Sequence, residues 1–586
     1  MKIDITIKIA GEAGQGLQTI GQLLAKSFSR KGFFVFANQA LQSRIRGGHN
    51  CFQIRVSDAP LPAPNETTDI LIALDKESVS HFKELTQTSV TIFDSVLSKI
   101  NPGAEYRSAP AGFSIDIPLE KTAKDSGGSR LMTNTVAVGA VLGLLEYDLQ
   151  VLFELLRESF SDKGKETAEV NIKIAQAGYD YTYKKVAGNK LPSLNTAAGP
   201  RKMLVNGSEA VALGALACGC KFISAYPMSP STGIMTYLAS KSQEFGIVVE
   251  QSEDEIASIN MALGASYAGV RAITASSGGG FALMVEGLSL AGMTETPIVI
   301  VNAQRPGPAT GLPTRTAQED LEYAIFAGHG EFPRAVLAPA TIEDAFYATI
   351  KAFNLADKYQ IPVIILSDQF LADSFSTVED FDLDNIKIQR HILSDDELKK
   401  IKEYKRYQLT PSGISPRALP GNPYGLVVVD SDEHDEYGHI TEDLDFIRPE
   451  MVKKRNRKNE GLLKEIAPPL KYGSGLTRNV LIGWGSTFGA LKEAVDLLNA
   501  DNLDVSLVHF KEVWPLNKEY FAFLDQAGFV CVVENNFRGQ FSRLITSVTG
   551  KMIENKINKF NGLPFTAREI VEEYKKLKNK KIIKGQ

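Results

Sequence analysis

Four acids fall within six residues at Glu250-Gln251-Ser252-Glu253-Asp254-Glu255, directly ahead of the apolar, small-residue run IASINMALGASYAG. Acids in a first helical turn sit well on the positive end of the helix dipole, which explains them without any chemistry. Crowding also opposes ionisation, so one carboxyl of such a group is a candidate for a raised pKa and for proton exchange near neutrality.

Three further segments carry chemistry. Tyr226-Pro227-Met228-Ser229-Pro230-Ser231-Thr232 follows a short apolar run. Its prolines fix a loop that opens a helix, with Ser231 or Thr232 as the cap, and a helix N-terminus with hydroxyls suits a carboxylate. Ser276-Ser277-Gly278-Gly279-Gly280 lets a flat ring or another backbone approach closely, or is simply a flexible turn. Gln304-Arg305-Pro306-Gly307-Pro308, with Thr314-Arg315 behind it, holds an arginine between rigid residues, a fit for bidentate carboxylate binding or a plain surface arginine.

The elements that must carry these loops read as alternating strands and helices. Strands are predicted at Phe222–Ala225, Ala272–Ala275, Ile298–Val301 and Val363–Leu366, with a helix over Ile256–Ala268, which implies a parallel sheet whose ligand loops lie at the carboxyl ends of the strands. An earlier α/β region begins with a strand in which Ile3, Ile5, Ile7 and Ile9 alternate with polar residues, turns at Gly11–Gly16 and enters a helix near Leu17. The turn Gly11-Glu12-Ala13-Gly14-Gln15-Gly16 fits a dinucleotide fingerprint poorly, since Ala13 stands where the middle glycine belongs. The expected organisation is residues 1–190, a linker at 191–200, a second α/β domain over 201–384, a charged irregular connector over 385–475 with a basic run at Lys453–Lys458, a third α/β domain over 476–575, and a solvated Lys-rich tail at 576–586.

The chain has 586 residues and a net charge of -5, enough for several cores and without the basic stripe that nucleic acid demands. Its four cysteines, Cys51, Cys218, Cys220 and Cys531, make no disulfide framework and no iron–sulfur signature, and no apolar run reaches the ~20 residues of a membrane span. A cytoplasmic location is expected, without membrane or nucleic-acid partners.

The order YPMSPST, then EDEIAS…GASYAG, then SSGGG, then QRPGPATGLPTRT resembles the alpha subunits of 2-oxoacid:ferredoxin oxidoreductases. The resemblance covers nearly the whole chain. It implies three α/β domains: a gamma-type domain fused at the N-terminus, a thiamine-diphosphate-binding domain of the pyrimidine type, and a transketolase C-terminal-like domain carrying Gly483–Ser486, Trp514-Pro515 and Glu534-Asn535-Asn536. It implies Glu255, set by its spacing from Gly264, as the acid that activates the cofactor pyrimidine, with Glu253 as second choice. Ser277, Gly278 and Gly279 would line the cofactor. Tyr226, Ser229 and Pro230 would meet the oxoacid, together with Arg305 or Arg315, between which the sequence does not choose. Ser229 replaces the family's usual Thr, and Gly279 replaces a Pro. Gly14, Gln15, Gly16 and Arg46, the last in an RGG stretch, match the gamma turn near which coenzyme A binds.

The resemblance further implies a beta subunit that supplies Mg²⁺ and a [4Fe-4S] cluster, ferredoxin as acceptor, and a dimer of heterodimers. No metal is expected in this chain. The implied reaction is reversible oxidative decarboxylation of a 2-oxoacid, 2-oxoglutarate favoured, with coenzyme A. The alternatives are a non-oxidative thiamine diphosphate lyase subunit and a non-catalytic coenzyme A-binding subunit. His434 and His439, five residues apart in an acidic loop, do not share a helix face as metal ligands would, and a solvated or interface loop is expected. Cys218 and Cys220 are expected to be small buried residues at a helix end.

Overall fold

The computed structural model describes residues 3–42, 48–99, 113–161, 164–185, 191–196, 198–473, 475 and 477–584. They form two compact units, Met1–Val205 with Ser374–Phe381, and Asn206–Asp373 with Asp382–Gln586.

In the first unit the described strands form one mixed sheet in the order Phe113–Asp116, Leu85–Phe93, Thr68–Ala73, Asp4–Glu12, His49–Ser57, Phe34–Ala40, Phe375–Val378, Met203–Asn206. Ile5, Ile7 and Ile9 are at most 1% exposed, as their alternation predicts. The polar positions between them differ from expectation, because Thr6 and Lys8 are buried too. The strand is central, with neighbours on both edges, and the Lys8 ammonium is neutralised by Glu84. The apolar run near Val136 is a helix, Thr133–Leu144, buried almost all round. Gly139 lets it pack on the helix Lys165–Lys185, since a Cβ there would lie 2.0 Å from the Ala175 carbonyl. Within the expected linker, Leu194 is fully buried and its N–H donates to the Leu145 carbonyl at 2.7 Å, so this stretch belongs to the packed unit.

The second unit holds two sheets among its described strands. The larger runs Glu512–Trp514, Ala335–Leu337, Pro362–Asp368, Ile298–Gln304, Ala272–Ser276, Phe222–Ala225, Val248–Gln251, parallel except at the first strand. Near-continuous runs such as IVIVNAQ and PVIILSD are buried on both faces, as helices on both sides of a parallel sheet require. The carboxyl ends of four adjacent strands therefore gather the loops that carry Ser229, Glu255, Ser277 and Arg305. The smaller sheet runs Leu470–Tyr472, Val505–Phe510, Asn479–Trp484, Phe529–Glu534, Asn555–Asn558.

The connector corrects the sequence reading. Much of it is irregular, but Ile447–Glu465 is a helix of 19 residues with Pro449 in its first turn, where a missing N–H costs nothing. Lys454 and Lys458, within the basic run, are 0% and 1% exposed. One turn apart, they reach the two carboxylate oxygens of the buried Glu295, each at 2.5 Å. Arg406 adds a hydrogen bond to the Glu295 carbonyl. Burial alone would raise the Glu295 carboxyl, but Lys454, Lys458 and Arg406 hold it well below the usual range. Burial pushes the Lys454 ammonium down to about 7. His434 is also buried rather than solvated. Its ring centre lies 4.1 Å from that of Tyr407, while His439 stays exposed. The Lys-rich end continues the helix Ala567–Lys584 instead of forming a free tail. Cys218 and Cys220 are buried at the end of the helix Gly207–Ala217, and burial pushes both thiols up to about 12.

Candidate functional site

Glu255 is the first residue of the helix Glu255–Tyr267. Asp254 is its cap, accepting from the Ala257 N–H at 2.8 Å, so the dipole is already served by a neighbouring acid. Glu255 itself turns inward and is 3% exposed, whereas Glu250 and Glu253 are exposed. The four acids thus divide by position, and only Glu255 enters the fold. It accepts from Ser276 Oγ at 3.4 Å.

The Ser276–Gly280 turn is shaped around that carboxylate. A Cβ on Gly280 would lie 2.4 Å from Glu255 Oε1 and 2.0 Å from Ser276 Oγ. A Cβ on Gly278 would lie 2.3 Å from Asp320 Oδ2. Gly279 is different, being exposed, with its nearest neighbour at 3.8 Å. Ser277 precedes the helix Gly278–Leu283 but makes no side-chain cap bond, and its fully buried Oγ has no hydrogen-bond partner. A buried carboxylate, an orphan hydroxyl and an open glycine at the end of a parallel strand suit a flat polar ring.

The proline loop lies alongside. Ser276 Oγ is 3.7 Å from Met228 Sδ, and the Ser229–Pro230 bond is cis. Ser231 stands at the cap position but turns back, donating from Oγ to the Met228 carbonyl at 2.8 Å, so it tightens the loop rather than capping the helix. Tyr226 is 40% exposed, Ser229 is exposed and Pro230 is buried. Arg305 Nη1 donates to the Ser229 carbonyl at 2.7 Å, which joins two segments the sequence left separate. Arg315 is partly buried beside Gly562, whose Cβ would meet Arg315 Cβ at 3.1 Å.

In the first unit, Gly14 and Gly16 take positive φ values of 95° and 75°. Gln15 folds onto its own turn, accepting from the Glu12 N–H at 2.8 Å and donating to the Leu74 carbonyl at 3.3 Å. The turn borders a cavity of about 240 Å³ lined by Gly14, Gln15, Asp94, Ser98, Thr133 and Asn134. Arg46 lies outside the described residues.

Sequence reasoning missed two groups. Asp320, beside Gly278, carries no motif that singles it out. His49, His81, Asp75 and Glu84 form a chain in which His49 Nδ1 meets Asp75 at 3.2 Å, the two Nε2 atoms lie 2.9 Å apart, and His81 Nδ1 meets Glu84 at 2.8 Å. Their spacing in sequence gave no sign that one strand and a short capped helix bring them together.

Residues 213–453 match the family described as pyruvate flavodoxin/ferredoxin oxidoreductase, thiamine diphosphate-binding, and residues 6–181 match pyruvate ferredoxin/flavodoxin oxidoreductase. The 2-oxoacid:ferredoxin oxidoreductase subunit alpha of a Sulfolobus species is 34% identical over 96% of this chain and 95% of its own length. A 2-oxoglutarate oxidoreductase subunit of Mycobacterium tuberculosis is 27% identical over 97% of this chain and 90% of its own. The structure of 2-oxoglutarate:ferredoxin oxidoreductase from Magnetococcus marinus, with 2-oxoglutarate, coenzyme A and succinyl-CoA bound, superposes with a TM-score of 0.91 at 34% identity, covering 98% of this chain and 100% of that one. Among the described residues no helix is long and apolar enough to cross a membrane.

Proposed function

Because this chain belongs to the 2-oxoacid:ferredoxin oxidoreductase alpha-subunit family, we propose that it forms the pyrimidine half of a thiamine diphosphate site whose other half lies on a partner subunit. The observation that carries this reading is the burial of Glu255 against Ser276 and Gly280. The residues fit the cofactor: Glu255 would hold the ring and its proton, and Ser277, Gly278 and Gly279 would flank it. The chemistry thiamine diphosphate supplies when bound is a nucleophilic carbon and an electron sink for decarboxylation.

Arg305, braced on the Ser229 carbonyl, would orient the oxoacid carboxylate, with Tyr226 and Pro230 walling the loop. Arg315 is the weaker candidate because it stands by Gly562. Glu253, at the surface, is set aside as an activating group. Gly14 and Gly16 would approach coenzyme A beside the cavity, while Gln15 braces the turn. Residues 1–190 act as the gamma-type region in this reading, and the five-stranded region as the transketolase C-terminal-like one.

The reaction is oxidative decarboxylation of a 2-oxoacid to its acyl-CoA. 2-Oxoglutarate is the favoured substrate, by analogy with the Magnetococcus enzyme. Mg²⁺ and the [4Fe-4S] cluster belong to the partner, ferredoxin takes the electrons, and two heterodimers pair, all in the cytoplasm. Ile256, Met261 and Leu283, exposed around Glu255, are the apolar surface such a partner would cover. Glu255→Gln in the assembled complex tests the reading. Turnover should fall on the order of 10²–10⁴-fold with assembly intact, and unchanged turnover would reject it.

A further inference from the structure

We infer that Asp320 is a positioning residue for the cofactor turn: packed on Gly278 and held by Asn302, its carboxyl sets where the Ser277–Gly279 backbone lies. The inference rests on the thiamine diphosphate reading above and adds a residue to it.

Asp320 occupies the cap position of the helix Leu321–Phe326 yet makes no side-chain cap bond. Its backbone is pinned at both ends, the N–H donating to Gln304 Oε1 at 3.0 Å and the carbonyl accepting from the Ala324 N–H at 2.8 Å. The side chain is thereby committed to the strand ends. Asn302, fully buried on the strand next to the turn and in register with Ser276, donates from Nδ2 to Asp320 Oδ2 at 3.2 Å. That same oxygen lies where a Cβ on Gly278 would have to go. Two buried polar atoms here lack partners, Asn302 Oδ1 and Ser277 Oγ. A carboxyl on a turn with unmet hydrogen-bonding capacity is poised to fix that turn differently in its two protonation states.

Burial pushes the Asp320 carboxyl up to about 6, the Asn302 bond opposes this and Glu319 adds to it. The titratable groups around it are Glu319 on its own loop, which accepts from the Gly307 N–H, Tyr323 in the following helix, and Glu255 across the turn against Gly280. The strands beneath contribute the uncharged Ser276, Asn302 and Gln304. As an ion Asp320 accepts from the Asn302 amide; protonated, it has a hydrogen to give to an amide turned over. The turn is therefore coupled to proton uptake near neutrality.

The experiment uses the complex assembled with its partner subunit and measures thiamine diphosphate affinity by titration from about pH 5 to about pH 8, alongside kcat and KM. Asp320→Asn should raise the cofactor Kd about tenfold at the alkaline end and flatten its change near the Asp320 pKa, with the KM for the oxoacid unmoved. Asp320→Glu should recover part of the affinity. An Asp320→Asn complex within about twofold of wild type at every pH overturns the inference. Should that variant fail to assemble, Gly278→Ala decides. Its methyl collides with Oδ2, so affinity should drop, and adding Asp320→Ala should cost little more because the same contact is already lost; a further loss of about tenfold in the double variant, or no drop in Gly278→Ala, overturns the inference. A wild-type complex that binds no thiamine diphosphate sinks the underlying reading instead.

Discussion

Arg305 donates to the Ser229 carbonyl across 76 residues of sequence, at 2.7 Å, and so locks the arginine loop to the proline loop. One acceptor leaves most of the guanidinium fork for an anion, and burial makes that charge costlier to leave unpaired. Arg305→Ala in the assembled enzyme should raise the KM for the 2-oxoacid about 10–100-fold, the worth of a charge-assisted hydrogen bond, with little change in thiamine diphosphate affinity. Arg305→Lys should recover little, because an ammonium cannot serve the carbonyl and a carboxylate in one plane. Steady-state kinetics settle it, and a larger effect from Arg315→Ala would transfer the role.

Gly279 and Gly280 are neighbours with opposite tolerances. Gly280→Ala puts a methyl within 2.4 Å of Glu255 Oε1 and should abolish turnover, whereas Gly279→Ala meets nothing nearer than 3.8 Å in the isolated chain. Activity and circular dichroism on the two variants separate a lost site from a lost fold. Equal activity would mean that the turn shifts freely.

Glu295 is held by the cationic Lys454, Lys458 and Arg406, and removing it strands two buried ammonium groups. Glu295→Gln should destabilise the second unit by about 3–5 kcal/mol. Replacing Lys454 with Met should cost less, because one lysine still pairs with the glutamate. Urea denaturation followed by tryptophan fluorescence reads this directly, Trp484 and Trp514 both lying in that unit.

For Glu84, burial would raise the carboxyl, but His81 and Lys8 win and bring it down to about 2. A lowered pKa means the unfolded chain binds more protons between about 2 and 4.5, so the stability from Glu84 is whole above pH 4.5 and drains away as pH falls towards 2. The gap in denaturation midpoint between wild type and Glu84→Gln should stay constant above about pH 5 and close below it. A gap that persists at the acid end would deny the ion pair its role.

Much of this was legible in the chain itself. Short apolar runs separated by helical segments located the strands Ala272–Ser276 and Ile298–Gln304 and the helix that begins at Glu255, because local sequence fixes such elements. The residue types alone do not choose among the four acids, since all four satisfy the same dipole argument; the resemblance pointed to Glu255 by its spacing from Gly264, and packing is what turns that one inward. The burial of Lys454 and Lys458 was not legible, because nothing local marks a lysine as buried until its partner, here 159 residues away from Lys454, is known. Ser231 as a cap failed for a similar reason: its hydroxyl found a carbonyl three residues back. Asp320 and the paired histidines gave no local signal at all.

Gln318 sits three residues beyond Arg315 and is bound at four points to the five-stranded region. Its N–H meets the Asn535 carbonyl, its Oε1 the Asn535 N–H, its Nε2 the Trp484 carbonyl and its own carbonyl the Asn536 amide. The last α/β region thus anchors the end of the loop that carries Arg305 and Arg315. Chimeras that trade this region between relatives should keep Gln318 together with Asn535 and Asn536, or inherit a loop that no longer knows where to stand.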